Sequence, residues 1–389
     1  MKKRILSLLL CASLLASTLS VTALAAGSDV TPILPKEPTL HLDGEALVPT
    51  AEGTTHTFEN GGVATLTTVG KNEAGGTDFA LTLENVRTTK SVRERMGDQI
   101  YAAGLHFVNF TGSGEAMSMN TKDTLSITLK GDSFIVVQGQ ADEAVSTALV
   151  SSCHTSISGD GSLFLVAAPA EGAETACFGI NVIGGLQVGA LLNCMTVNGT
   201  ALALSGELSL TDGATLRWPT QLALSDLKDV QSGVGSRTLM DGEEAADMMV
   251  VATPSTPVTR GVAVFNLWLM KGSPAPEGEY PFTDEPMNGF LRDAIHWAGS
   301  TGLAKGYGDG RFGEMDNITN EQFAVLFYRL IGSPAVEGNF PADYPYPGSV
   351  SPWARDAMLR ASRAWPVDPK GILTHAEMDR LVAVLKRAE

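Results

Sequence analysis

A phrase repeated near the end of the chain constrains the fold most. Val258-Thr259-Arg260 opens a stretch that closes on Gly272-Ser273-Pro274-Ala275, and Ile318-Thr319-Asn320 opens another that closes on Gly332-Ser333-Pro334-Ala335. Glycine follows threonine by the same interval in both, and Leu373-Thr374-His375 begins a third copy. Repetition on this scale marks an array of like units, each unable to bury its apolar face alone. Each copy reads as a helix. The leading threonine can accept a bond from a free backbone N–H. Gln322 and Glu377, three residues after Thr319 and Thr374, give those two starts the form of a capping box. Phe323, Leu326, Phe327, Leu330 and Ile331 fall on one helical stripe, which Met378, Leu381, Val382 and Leu385 repeat. Gly272 and Gly332 suit the position where a helix ends by turning left-handed, with proline two residues on.

A second phrase recurs between these helices. Asp293-Ala294-Ile295, with Trp297 and Ala298, is echoed by Asp356-Ala357-Met358 with Ala361. Phe282-Thr283-Asp284 precedes the first, and Gly306-Tyr307-Gly308-Asp309-Gly310-Arg311-Phe312 follows it. Together with the VTR, ITN and LTH starts, these elements resemble the S-layer homology family over residues 258–389. The resemblance implies an all-α, pseudo-repeated helical module that docks a secreted protein onto an acidic secondary cell-wall polysaccharide, such as a pyruvylated one. It points to Thr259, Arg260, Trp297, Gly308 and Asp309 as residues of the glycan site. In the family, the arginine of the T-R phrase grips a sugar carboxylate, and a guanidinium offers a planar fork that matches two carboxylate oxygens. Only Arg260 matches that element. Asn320 and His375 hold the equivalent positions, and neither offers a charged fork at neutral pH. The second glycine-rich loop is missing, because Trp365-Pro366-Val367-Asp368-Pro369 runs almost directly into Leu373-Thr374. One groove at most is then fully equipped.

The first residues point outside the cell. Lys2, Lys3 and Arg4 precede an apolar run from Ile5 to Leu19, and Ala23-Leu24-Ala25 supplies a small-residue cleavage site. This is the pattern of a secretory signal peptide over residues 1–26. No later segment is long and apolar enough to span a bilayer. The chain carries a net charge of −16, and losing the basic leader makes it more negative. So acidic a chain is an unfavourable partner for nucleic acid. Any grip on an acidic glycan must be local and rest on a few cationic side chains.

Residues 27–231 have another character. Short alternating runs such as Phe79–Leu83, Leu125–Leu129, Phe134–Val137, Ser162–Val166 and Glu207–Leu210 sit between turn signals. Alternation at period two argues for strands with one face inward. Gly161-Ser162-Leu163, Gly185-Leu186-Gln187 and Gly206-Glu207-Leu208 place a turn before a strand at fairly even steps. The expected architecture is a right-handed parallel β-helix, with an antiparallel β-sandwich as the alternative. Leu81–Val86 and Ile100–Gly104 loosely resemble β-helical carbohydrate-binding regions of bacterial surface proteins. Residues 232–257, with Gly233, Gly235, Asp241-Gly242 and Pro254-Ser255-Thr256-Pro257, read as a linker.

Chemistry is sparse. Asp123, Asp132, Asp160 and Asp212 stand at turns, where aspartate is ordinary, although glycoside hydrolysis would need a carboxylate pair. His41, His56, His106 and His154 are scattered and share no motif with serine or aspartate. No nucleophile elbow, zinc-protease or phosphate-loop phrase occurs. No catalytic residue, metal ligand or cofactor is therefore assigned. Past the leader, the cysteines are Cys153, Cys177 and Cys194. An odd count is no disulfide framework, so they read as small buried hydrophobes, with one bridge still allowed. Arg87, Lys90, Arg93 and Arg95 form a basic stretch, either charge-paired at the surface or a contact for acidic polymer. The sequence thus describes a secreted, non-catalytic, two-part protein held at the cell wall through its C-terminal third. A surface polysaccharide lyase or hydrolase, or a glycan-binding adhesin, is the alternative.

Overall fold

The computed structural model describes residues 31–32, 38–96, 99–111, 118–170, 176–197, 199–218, 224–228, 235–241, 244–286 and 289–386. The leader expected over residues 1–26 lies outside them. Two compact units divide the chain, Met1–Thr253 and Pro254–Glu389.

In the first unit the alternating runs are strands, for the reason the alternation implies. Along Thr124–Lys130 the side chains of Leu125, Ile127 and Leu129 are fully buried, while Ser126 and Lys130 face outward. Between Thr124 and Leu210 the chain visits three sheets in a fixed order. One circuit runs Thr124–Lys130, Asp132–Gln138, Glu143–Ser151, and the next runs His154–Gly159, Ser162–Ala168, Ala176–Val182. Each strand pairs in parallel with its counterpart in the next circuit. Matched register stacks like on like. Leu81, Ile127, Ile157, Val188 and Leu210 form one ladder, Ile135, Leu165 and Cys194 a second, and Leu105, Leu149, Ile180 and Leu202 a third. The three ladders meet in one apolar core, where each buried leucine or isoleucine contributes about 1.5–3 kcal/mol. On the outer side, the rings of Phe134 and Phe164 stack 4.6 Å apart with Arg87 over Phe134.

The expected fold class, a parallel β-helix joined to an all-α repeat module, requires correction. The sheets are mixed and are not a purely parallel stack. Antiparallel strands flank each one: Val63–Lys71 and Thr54–Thr57 on one, Met248–Ala252 and Thr215–Trp218 on another, Gly235–Asp241 and Leu224–Lys228 on the third. Antiparallel ends can return through short turns, whereas parallel pairs need a longer crossover. Nor is the C-terminal unit an all-α module of repeated helices. Among the described residues it holds five short α-helices, α1 (Arg260–Met270), α2 (Gly289–Ser300), α3 (Asn320–Leu330), α4 (Arg355–Ser362) and α5 (His375–Lys386), separated by long irregular segments. Prolines 274, 276, 281, 334, 341, 345, 347, 366 and 369 fall in those segments, where a missing N–H and a fixed φ forbid helix. The linker expected over 232–257 also needs correction, because Gly235–Asp241 and Met248–Ala252 are paired strands of the first unit.

What recurs in the C-terminal unit is the backbone at the helix starts. Val258 N donates to Leu373 O, Ile318 N to Val258 O, and Leu373 N to Ile318 O, closing a three-membered cycle. The first amides of each following helix, which lack intrahelical acceptors, find carbonyls of another segment. Arg260 and Gly261 bond to Asp316 and Glu314, Asn320 and Glu321 to Gly371 and Pro369, and His375 and Ala376 to Thr256 and Pro254. Thr259 caps α1 through Val262 N, and Thr319 and Gln322 form a reciprocal capping box. Gly272 and Gly332 turn left-handed at φ 78° and 85°.

The circuits leave no room at their corners. At Gly159, φ is 116°, and an added Cβ would lie 2.3 Å from the carbonyl oxygen of Leu129 in the circuit before. Gly159→Ala is expected to destabilise the first unit by about 1–3 kcal/mol, read as a lower urea midpoint; an unchanged midpoint would show that the circuits are not packed backbone to backbone there.

Candidate functional site

Arg260 is the first residue of α1 and is buried, 8% exposed. Its guanidinium lies over the ring of Tyr307 at 4.5 Å and that of Phe312 at 4.9 Å. Nε donates to the carbonyl of Phe312 at 3.0 Å. No hydrogen bond joins the two terminal nitrogens to another of the described residues. Burial lowers the pKa of this group, and the nearby Tyr307, Asp316 and Asp284 oppose that fall. A guanidinium stays charged throughout, so the niche presents a fixed positive charge between two aromatic faces.

The loop that supplies the rings is shaped by glycine. Gly306, Gly308, Gly310 and Gly313 all have φ between 66° and 92°. At Gly306 a Cβ would meet the Arg311 carbonyl at 2.4 Å, whereas around Gly308 there is open space. Asp284 fastens the loop from outside. Its carboxylate accepts from Phe312 N at 2.7 Å and Gly313 N at 2.8 Å. Burial raises its pKa, but those two amide bonds outweigh burial and hold it below the ordinary carboxylate value. Tyr307 keeps 44% of its surface exposed and forms the outer lip.

The structure separates the residues expected in a glycan site. Thr259 is a helix cap. Arg260 is inside the niche. Gly308 is at the open tip of the loop, and Asp309 is exposed and turned onto Arg311, its Oδ2 3.0 Å from Arg311 Nε. Trp297 is buried in α2, where its carbonyl accepts from Thr301. The residues that the sequence reading passed over are Tyr307, Phe312 and Asp284. All three stood in the quoted phrases; what went unread is that the fold sets the rings of Tyr307 and Phe312 against Arg260.

The other two starts are built differently. Asn320 is buried and gives Nδ2 to the Asp368 carbonyl. Lys370, the cation beside it, is bound by the buried carboxylate of Glu321, which also accepts from Ser351 N and Oγ. His375 is buried. Two of the four cations in the basic stretch of the first unit are paired with acids, while Arg87 and Arg95 are exposed. Arg93 contacts Asp142 at 2.6 Å and Glu143 at 2.9 Å, and Lys90 contacts Glu59 at 3.0 Å. Cys153, Cys177 and Cys194 are free and buried, and burial pushes all three thiols up, Cys153 and Cys177 to about 12. Two histidines that are scattered in the sequence do come together, since His41 and His106 are partners across paired strands.

No protein-family model matches the chain. A 91-residue stretch, 23% of the chain, is 28% identical to the Outer membrane protein SlpA of Thermus thermophilus and spans 10% of that protein's length. Among the described residues no helix is long and apolar enough to cross a membrane.

Asp284→Asn leaves one acceptor oxygen facing two amides and is expected to destabilise the unit by about 1 kcal/mol at neutral pH. Because the folded pKa is depressed, Asp284's contribution is fully present above the unfolded carboxylate value. It is lost as pH falls through the folded pKa. Urea midpoints of the two proteins should therefore converge on acidification; a gap that stays constant into acid would remove the ionised carboxylate as the fastener.

Proposed function

We propose that this is a secreted cell-surface protein, without catalytic activity, whose C-terminal unit holds an acidic cell-wall polysaccharide at Arg260. The observation that carries the reading is the guanidinium set between Tyr307 and Phe312 with its terminal nitrogens uncommitted. Such a group suits a sugar carboxylate, which would complete a charge-assisted pair, while the exposed face of Tyr307 offers an apolar platform to the sugar ring. In a chain of net charge −16, attraction to an anionic polymer must come from such a local cation. The partial similarity to an outer membrane protein supports a surface location, as does the expected leader. Two of the aspartates at turns have hydrogen-bonded partners within the fold. Asp123, 1% exposed, accepts from Thr77 N and Asn109, and Asp132 accepts from Ser162.

Binding through one niche forgoes the gain of linked sites, so retention should be modest and should fall with salt. The test is co-sedimentation of the processed chain with purified walls, intact or stripped of acidic polysaccharide. The wild type should pellet only with intact walls. Arg260→Ala and Tyr307→Ala should each weaken retention, the first by about tenfold, equivalent to one charge-assisted contact. Lys271→Ala, an exposed cation at the far end of α1, should not. Retention of both niche variants at the wild-type level would overturn the reading, and an unchanged thermal midpoint of Tyr307→Ala separates lost binding from lost folding.

A further inference from the structure

His41, Glu94 and His106 come from three strands of the first unit, Leu40–Leu42, Val92–Met96 and Gln99–Phe107. Both shorter strands pair antiparallel with Gln99–Phe107, and His41 is the register partner of His106. Glu94 is 4% exposed and His106 8%. Glu94 Oε1 lies 3.5 Å from His41 Nδ1, and Glu94 Oε2 lies 3.3 Å from His106 Nε2. One donor atom from each residue falls within 4.8 Å of the other two. The imidazoles face each other at 5.9 Å and 28°. Despite this closeness no hydrogen bond forms within the cluster, and Nδ1 of both histidines is buried without a partner.

A buried polar cluster without hydrogen bonds is costly, and this one also lacks a counter-charge. Burial alone acts on Glu94, pushing its carboxyl up to about 8. Burial, and then the neighbouring His41, drive His106 down to about 3. The adjacent cation, Arg93, turns to Asp142 and Glu143 instead. Two neutral imidazoles and one carboxyl therefore converge on a point that no protein cation fills. In a tetrahedral site with bonds of about 2.0–2.1 Å, neighbouring donor atoms are about 3.3 Å apart; each imidazole stands about that far from its own oxygen of Glu94, Oε1 for His41 at 3.5 Å and Oε2 for His106 at 3.3 Å, so the carboxylate faces both rings. Two nitrogen donors of three disfavour calcium and magnesium, which prefer oxygen, and suit zinc and its neighbours.

We propose that His41, Glu94 and His106 bind one divalent transition-metal ion of the zinc class, in a site with a coordination position left open. The ion ties the Leu40–Leu42 and Val92–Met96 strands to the strand they share, clasping the N-terminal end of the sheet.

The test is titration of the processed, chelator-stripped chain with zinc chloride by calorimetry, and with cobalt chloride by visible absorption. One equivalent should bind, the cobalt complex should show the visible bands of a low-symmetry site, and thermal unfolding should move upward with zinc. Glu94→Gln keeps the side-chain shape, and His41→Gln alters the most exposed ligand. Each should retain the far-ultraviolet dichroism of the wild type, lose the cobalt bands and weaken zinc binding by at least about tenfold. Absence of stoichiometric uptake, or uptake and spectra unchanged in both variants, would overturn the proposal.

Discussion

The C-terminal unit depends on the three-membered cycle of backbone bonds through Val258, Ile318 and Leu373. Each bond is ordinary, worth about 1 kcal/mol net. Their arrangement sets everything else. The cycle fixes three chain segments side by side, and the residues just after each one enter a helix whose leading amides lack partners of their own. Carbonyls of another segment satisfy them, so each of these three helix starts is pressed against a loop from elsewhere in the sequence. Arg260 meets the Gly306–Phe312 loop for that reason, although about fifty residues of chain lie between them.

Similar backbone at the three starts carries dissimilar side chains, and charge decides what each can do. At the second, Lys370 already has a buried carboxylate partner in Glu321. At the third, His375 replaces the cation. Arg260 alone of the three start residues keeps a permanent charge, and aromatic rings on both sides shield it from water without neutralising it. The proposed function rests on that asymmetry. In the first unit Arg93 and Lys90 of the basic stretch are paired with the chain's own acids.

Local features were legible in the sequence. Thr259 and Thr319 cap, Gly272 and Gly332 turn left-handed, and Leu125, Ile127 and Leu129 point inward, because each follows from neighbours within a few residues. Pairing direction was not legible. Whether Met248–Ala252 runs parallel or antiparallel to Leu191–Thr196 is settled by partners far along the chain, and its glycine- and proline-rich surroundings disguised it as a linker. The burial of Trp297 was not legible either, because an aromatic on a helix looks the same whether it packs inward or waits for a ligand. Tyr307 and Phe312 went unnoticed as partners of Arg260, since cation–aromatic contact leaves no spacing motif. His41 and His106 share no motif either; only strand register makes them neighbours.

The central claim is that one of three alike backbone positions has become a polyanion grip. It is tested most directly by amide and arginine side-chain NMR spectra of the labelled protein during titration with an acidic wall oligosaccharide. The account predicts shifts at Arg260 Nε and at the amides of Gly306–Gly313, with the 366–371 segment beside Asn320 unmoved. Equal shifts at both places, or none at Arg260 while the oligosaccharide binds, would contradict it.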